Sequence, residues 1–198
     1  MSGLPGSALF ASAGGGRVGI VLGLEPAFPS AHALGPAFTV QGSPGDNLAL
    51  HHAVSSAGPG VVIVLAVGGE REIAHCGGIL AFAAAERGIA GILLDGAIRD
   101  RSELASLGLP VFHRGSSPVG PTKNGPGALG VSVEICGVRV SPGDLVCADA
   151  DGAAIIAAED AEQVRAAVEA LERRERAILS ELGRGASTVE LYGLAGLA

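Results

Sequence analysis

Arg99, Asp100 and Glu103 are the residues in this chain whose types and spacing most readily support chemistry. They follow the apolar run Gly91-Ile-Leu-Leu, which ends in Asp95-Gly96. A buried strand that delivers a cation and two carboxylates to its exit gives a small polar site on a rigid base. Read locally, Asp100 is an N-cap and Glu103 its N3 partner, as in a capping box. The two readings are compatible, since one carboxylate oxygen can cap while the other faces a metal.

Composition narrows the classes of function. A chain of 198 residues fits one domain with a real core, here taken as 1–198 with a short Gly-rich segment over about 1–34. Apolar residues make up 48% but aromatics only 3%, so Ala, Val, Leu and Ile must fill the core. Charged residues, at 17%, are sparse for a monomer's surface, and a homo-oligomer is expected. A net charge of -7 without a basic groove argues against nucleic-acid binding. Cys76, Cys136 and Cys147 form no C-x-x-C pair, which disfavours zinc and fits buried thiols in a reducing compartment, the cytoplasm. Neither a signal peptide nor a membrane span is expected.

The elements that must position the site can be read in outline. Pro36–Val40 has strand character, and Asp46 or Asn47 can cap a helix over Leu48–Ser55. Val61–Val67 reads as a strand buried on both faces, His75–Arg87 as a helix and Ile89–Leu94 as a second buried strand. Together they predict a right-handed βαβ unit. A short helix over Ser102–Leu107 and a strand over Leu109–Phe112 follow. Residues 114–130 read as a long loop. Val131–Cys136 and Val138–Val140 alternate like half-exposed strands, and Asp151-Gly152 marks a hairpin. Asp160–Leu182 is a helix with Val164, Val168, Leu171, Ile178 and Leu182 near one face. Gly14-Gly15-Gly16 reads as a flexible turn, without the context of a phosphate loop.

The wider pattern Gly78-x20-Arg99-Asp100-x2-Glu103 resembles the signature of the RraA-like family. That family includes divalent-metal 4-hydroxy-4-methyl-2-oxoglutarate / 4-carboxy-4-hydroxy-2-oxoadipate aldolases and regulators of ribonuclease E activity. Gly45–His51, Gly91–Asp100, Leu109–Phe112, Lys123–Gly127 and Pro142–Val146 resemble family segments in family order. The resemblance implies a compact α/β domain of swivelling, phosphohistidine-domain-like architecture. A mixed central sheet would be flanked by helices, in trimers or hexamers with sites between subunits. It implies a lyase that cleaves a 4-hydroxy-2-oxo acid to pyruvate through an enolate stabilised by Mg²⁺ or Mn²⁺. The same chemistry permits an oxaloacetate decarboxylase, and the regulators permit a non-catalytic protein that binds a ribonuclease.

By that resemblance Asp100 holds the metal directly, with Glu103 and Asp46 acting through water. Arg99 holds a carboxylate or the oxygen that gains charge. Backbone at Gly78, Ile79 and Leu80 faces the 2-oxo acid, and Asn47 and Lys123 complete the substrate contacts. Two departures stand out. Ser7 occupies the place of a family Asp, and Gly185-Ala186 lacks the acid that many aldolases carry after a Gly near the C-terminus. His51 and His52 should point apart on a helix, which makes them poor joint metal ligands. His75 beside Gly77-Gly78 has a structural role first.

Overall fold

The chain begins with α1 (Ser7–Gly14), β1 (Val18–Val21), β2 (Glu25–Pro26) and β3 (Ala33–Gln41) in the computed structural model, which describes residues 4–196. Next come α2 (Leu48–Ser56), β4 (Val62–Ala66), β5 (Ala74–Cys76), α3 (Gly78–Glu86), β6 (Gly91–Leu94) and β7 (Ala97–Ile98). After α4 (Arg101–Leu107) follow β8 (Val111–His113), β9 (Gly115–Ser116), β10 (Ala128–Leu129), β11 (Val133–Ile135) and β12 (Val138–Val140). β13 (Leu145–Asp149), β14 (Gly152–Ile156), α5 (Ala161–Gly183) and α6 (Thr188–Tyr192) complete the order.

The principal sheet runs β1-β14-β13-β3-β4-β6-β8-β2, with β10 also paired to β3. Its centre, β3-β4-β6-β8, is parallel, and antiparallel pairs flank it on both sides. This is the mixed sheet flanked by helices that was expected. β4 shows why it is so apolar. Ile63 and Leu65 pack under α2 and α3, while Val62, Val64 and Ala66 pack under the β11–β12 hairpin. Successive strand side chains point to opposite faces, so a strand covered on both sides has no polar position.

The helix expected over His75–Arg87 begins later. Ala74–Cys76 is a fully buried strand in a second, parallel sheet, β5-β7-β9. Gly77 is extended at φ -147, and the helix starts at Gly78. The long loop over 114–130 also holds β9 and β10, and an isolated bridge joins Asp46 to Thr122. In the Gly-rich start, Ser7–Gly14 is helical because Phe10 is fully buried against Cys147, Ile156, Val164 and Val168. Asp149 fastens that helix by accepting from Ser7 N at 2.7 Å and Ser7 Oγ at 2.6 Å. Gly15–Arg17 is a 3₁₀ turn. Along α5 only Val164 and Val168 of the expected face are buried, since the helix runs on past the body. Cys76 and Cys147 are buried and Cys136 partly so; all three are free thiols. Among the described residues no helix is long and apolar enough to cross a membrane.

Candidate functional site

The small sheet β5-β7-β9 builds the site. Its three strands are parallel, so their carboxyl ends lie side by side. They release Gly77-Gly78, Arg99-Asp100 and Ser117 at one edge, the end of a parallel sheet where ligands commonly bind. Arg99 N donates to Cys76 O at 2.9 Å and Ser117 N to Ile98 O at 2.9 Å, which locks the three exits together. The signature residues are thus neighbours through strand pairing, despite the twenty residues between Gly78 and Arg99.

Asp100 does not cap its own helix. It sits in the left-handed region, at φ 57 and ψ 39, and makes no side-chain bond to the start of α4. Asp tolerates this conformation better than most residues. The turn aims its carboxylate at α3 instead, where Oδ2 accepts from Gly78 N at 3.0 Å and lies 3.4 Å from Arg99 Nε. Glu103 makes no capping box either. Its carboxylate lies over Gly78, where a Cβ would come within 2.0 Å of Oε2. A Cβ on Gly77 would come within 2.6 Å of Asp100 Oδ2 and 2.9 Å of Arg99 Cγ. Both glycines are therefore required by what crosses them.

Beside this turn a cleft is lined by Asn47, His51, Cys76, Gly77, Ile79, Leu80, Arg99, Pro121 and Lys123. It contains the expected substrate contacts Asn47, Ile79, Leu80, Arg99 and Lys123. Asp100 and Glu103 open onto neighbouring surfaces, Asp100 beside Ser116–Pro118 and Glu103 beside Phe82 and Leu107. At the start of α3 Asp100 takes the Gly78 N–H, while the N–H groups of Ile79 and Leu80 lack partners among the described residues. Two cationic side chains and a helix N-terminus converge on one small space, which suits an anion with more than one carboxylate.

Asp46 is placed differently from its expected role. Its Oδ1 accepts from Leu48 N at 2.8 Å. Its Oδ2 accepts from Thr122 Oγ1 at 2.7 Å, Asn124 N at 2.7 Å and Gly125 N at 2.8 Å. Burial alone would raise its carboxyl pKa, but these bonds outweigh that and hold it well below the usual range. Both oxygens are committed to protein donors. Asp46 ties the loop before α2 to the loop carrying Lys123, which sets two walls of the cleft.

Asn47 donates from Nδ2 to His75 O at 3.0 Å, and His75 Nε2 accepts from Gly45 N at 3.1 Å. His75 is fully buried, and burial lowers its pKa despite the opposing Glu70 and Asp95 charges. Its role is structural, as expected. His51 and His52 do point apart: His51 lines the cleft, and His52 lines a depression with Leu48, Gly125 and Gly127–Leu129. His51 by itself reaches the cleft, beside Asn47. Its spacing of four from Asn47 was the available signal.

Among the described residues no three His, Cys, Asp or Glu side chains gather as a metal cage. The donor set instead fits a hydrated hard cation anchored by one carboxylate. Among the described residues one Asp100 oxygen has no protein donor, and Glu103 is across the same glycine pair.

Residues 10–155 match the family model described as RraA-like, Aldolase/RraA. A protein of Halalkalibacterium halodurans called "Putative 4-hydroxy-4-methyl-2-oxoglutarate aldolase" is 40% identical over 133 residues, 67% of this chain and 63% of that protein. The chain thus spans under two thirds of that relative's length. The structure is similar to an uncharacterized protein from Pseudomonas syringae pv. tomato (TM-score 0.85, 26% identity, 97% of this chain and 91% of that one). It is also similar to the RNA-processing inhibitor RraA from Thermus thermophilis (TM-score 0.72, 26% identity, 79% and 93%). With the signature residues side by side at the ends of β5, β7 and β9, and the family model covering most of the chain, this protein belongs to the RraA-like family of aldolases and RraA proteins.

Proposed function

We propose that this protein is a divalent-metal-dependent lyase that cleaves a 4-hydroxy-2-oxo acid to pyruvate. The observation that carries the reading is the cleft joining Arg99, Lys123, Asn47 and the start of α3 beside Asp100. Arg99 offers a planar fork for one carboxylate, and Lys123 a point charge for a second. The N–H groups of Ile79 and Leu80 are aimed where oxygen gains charge as the C–C bond breaks. Gly77 and Gly78 let the Arg99, Asp100 and Glu103 side chains lie against the backbone at the start of α3. Mg²⁺ or Mn²⁺ held by Asp100, with Glu103 reaching it through water, would supply Lewis acidity to the 2-oxo acid. Oxaloacetate decarboxylation uses the same groups, since it too leaves a pyruvate enolate.

Assembly as a homotrimer or hexamer is part of the proposal. α3 is apolar except for Glu86 at its end, yet Ile79 is 82% and Phe82 54% exposed beside the site. A helix of that kind is normally covered, and a neighbouring subunit would cover it. A cytoplasmic location agrees with three free thiols.

The test is a coupled assay of pyruvate release over oxaloacetate and several 4-hydroxy-2-oxo acids, with Mg²⁺ and with chelator. Release that depends on the metal is expected. No release from any substrate would sink the lyase reading. The likeness to RraA supports a regulator as the second reading, and a pull-down of a ribonuclease by a chain inactive in that assay would favour it.

A further inference from the structure

Neither departure from the family pattern leaves an acid–base group in the cleft: Ala186 lies in the turn after α5, and Ser7 is bound to Asp149. We propose that His51 is the acid–base residue of this site, taking the proton of the substrate's 4-hydroxyl and delivering it to C3 of the pyruvate enolate. The assignment rests on the lyase reading above.

Geometry singles His51 out. α2 buries Ala49, Leu50, Ala53 and Val54, which leaves its other side to face outward. Asn47 and His51 are one turn apart, joined by His51 N donating to Asn47 O at 3.1 Å, and both line the cleft. The other titratable groups nearby are unsuited. Arg99 and Lys123 are cations fitted to hold carboxylates. The Cys76 thiol is buried and pushed up to about 12. The His75 ring is buried, with Nε2 occupied. Asp46 has both oxygens bound, and Asp100 and Glu103 are the carboxylates that would hold the metal.

The charges around His51 favour its neutral form. Partial burial, Lys123 from the loop across the cleft and His52 on its own helix all lower its pKa, opposed by Asp46. A neutral imidazole at pH 7 can accept a proton. The hydroxyl proton passes to the imidazole, the C3–C4 bond breaks and C4 becomes a carbonyl. The bond's electron pair is delocalised into the enolate. The imidazolium then gives its proton to C3, so pyruvate and a carbonyl product leave and neutral His51 returns. In the decarboxylation the second half operates alone, with a proton drawn from water.

The experiment follows deuterium entering the pyruvate methyl group in D₂O with Mg²⁺ by NMR, alongside turnover and pH profiles. It compares wild type, His51→Gln, His51→Ala and His52→Gln. Loss of His51 should slow exchange and kcat by about 100-fold or more, with KM changed less than about threefold. It should also remove one limb of the pH profile, and added imidazole should partly restore His51→Ala. His52→Gln should behave as wild type. Wild-type exchange and turnover with an unchanged His51→Gln overturns this assignment alone. Wild type inert in both assays overturns the lyase reading and this assignment with it. Melting curves confirm that the variants are folded.

Discussion

Asp46 and Asp100 each adjoin a residue that lines the cleft, Asn47 and Arg99, and differ in how their oxygens are used. Asp46 is buried and accepts four hydrogen bonds, three of them on one oxygen. Asp100 is part-exposed, accepts one bond from Gly78 and lies beside Arg99. A carboxylate whose lone pairs are filled by the protein holds the fold. One with an oxygen to spare, at the edge of a parallel sheet, is available to a metal or substrate. Both acids lie within family-like segments, and only their partners separate them.

The sharpest break of this comparison is Asp100→Ala. Pyruvate release should fall by about 1,000-fold, roughly 4 kcal/mol of transition-state stabilisation, while the melting temperature stays near wild type. A comparable loss of stability instead would place Asp100 with Asp46. Asp46→Ala should do the reverse, costing about 3 kcal/mol of stability by leaving buried donors unpaired. Denaturant titration measures that. Loosened walls should raise KM more than they lower kcat.

Gly78→Ala probes the ground between the two. Its Cβ would meet Glu103 Oε2 at 2.0 Å, so Glu103 must swing away or α3 must shift. A loss of about 10-fold to 100-fold in kcat/KM is expected, with Gly78→Ala/Glu103→Ala recovering stability but not activity. The smallest effect is on acid stability. The folded Asp46 pKa is depressed, so its contribution is present above the unfolded value near 3.8 and is lost as pH falls below it. Asp46→Asn should flatten that acid limb of the stability curve; an unaltered limb would show that Asp46's bonds do not survive in solution.

Much of the frame was legible because strong periodicity is a local property. β4 and β6 are continuous apolar runs, and their burial on both faces follows from that. The small sheet was not legible, since strands of two or three residues carry no period. α1 was obscured by its small residues and trailing glycines, and it is fixed by Phe10 and Asp149 rather than by propensity. At the site, Arg99, Asp100, Glu103 and Gly78 could be named from spacing, yet their geometry could not. The capping box was a sound local inference, overturned because Asp100 Oδ2 accepts from Gly78 N and its side chain makes no bond to the start of α4.

By itself the sequence determined the composition of the core, the order of the main elements, the family and the residues of the signature. These depend on residue type and on neighbours a few positions away. Tertiary structure alone decided which carboxylate is saturated and which is free, that Asn47, Lys123 and His51 share a cleft, and that His52 does not. Those facts depend on pairings such as Asp46 with Thr122, 76 residues apart, and on which face of α2 the sheet covers. A hydrogen bond closes only when folding brings donor and acceptor within about 3 Å, and no local pattern encodes that distance.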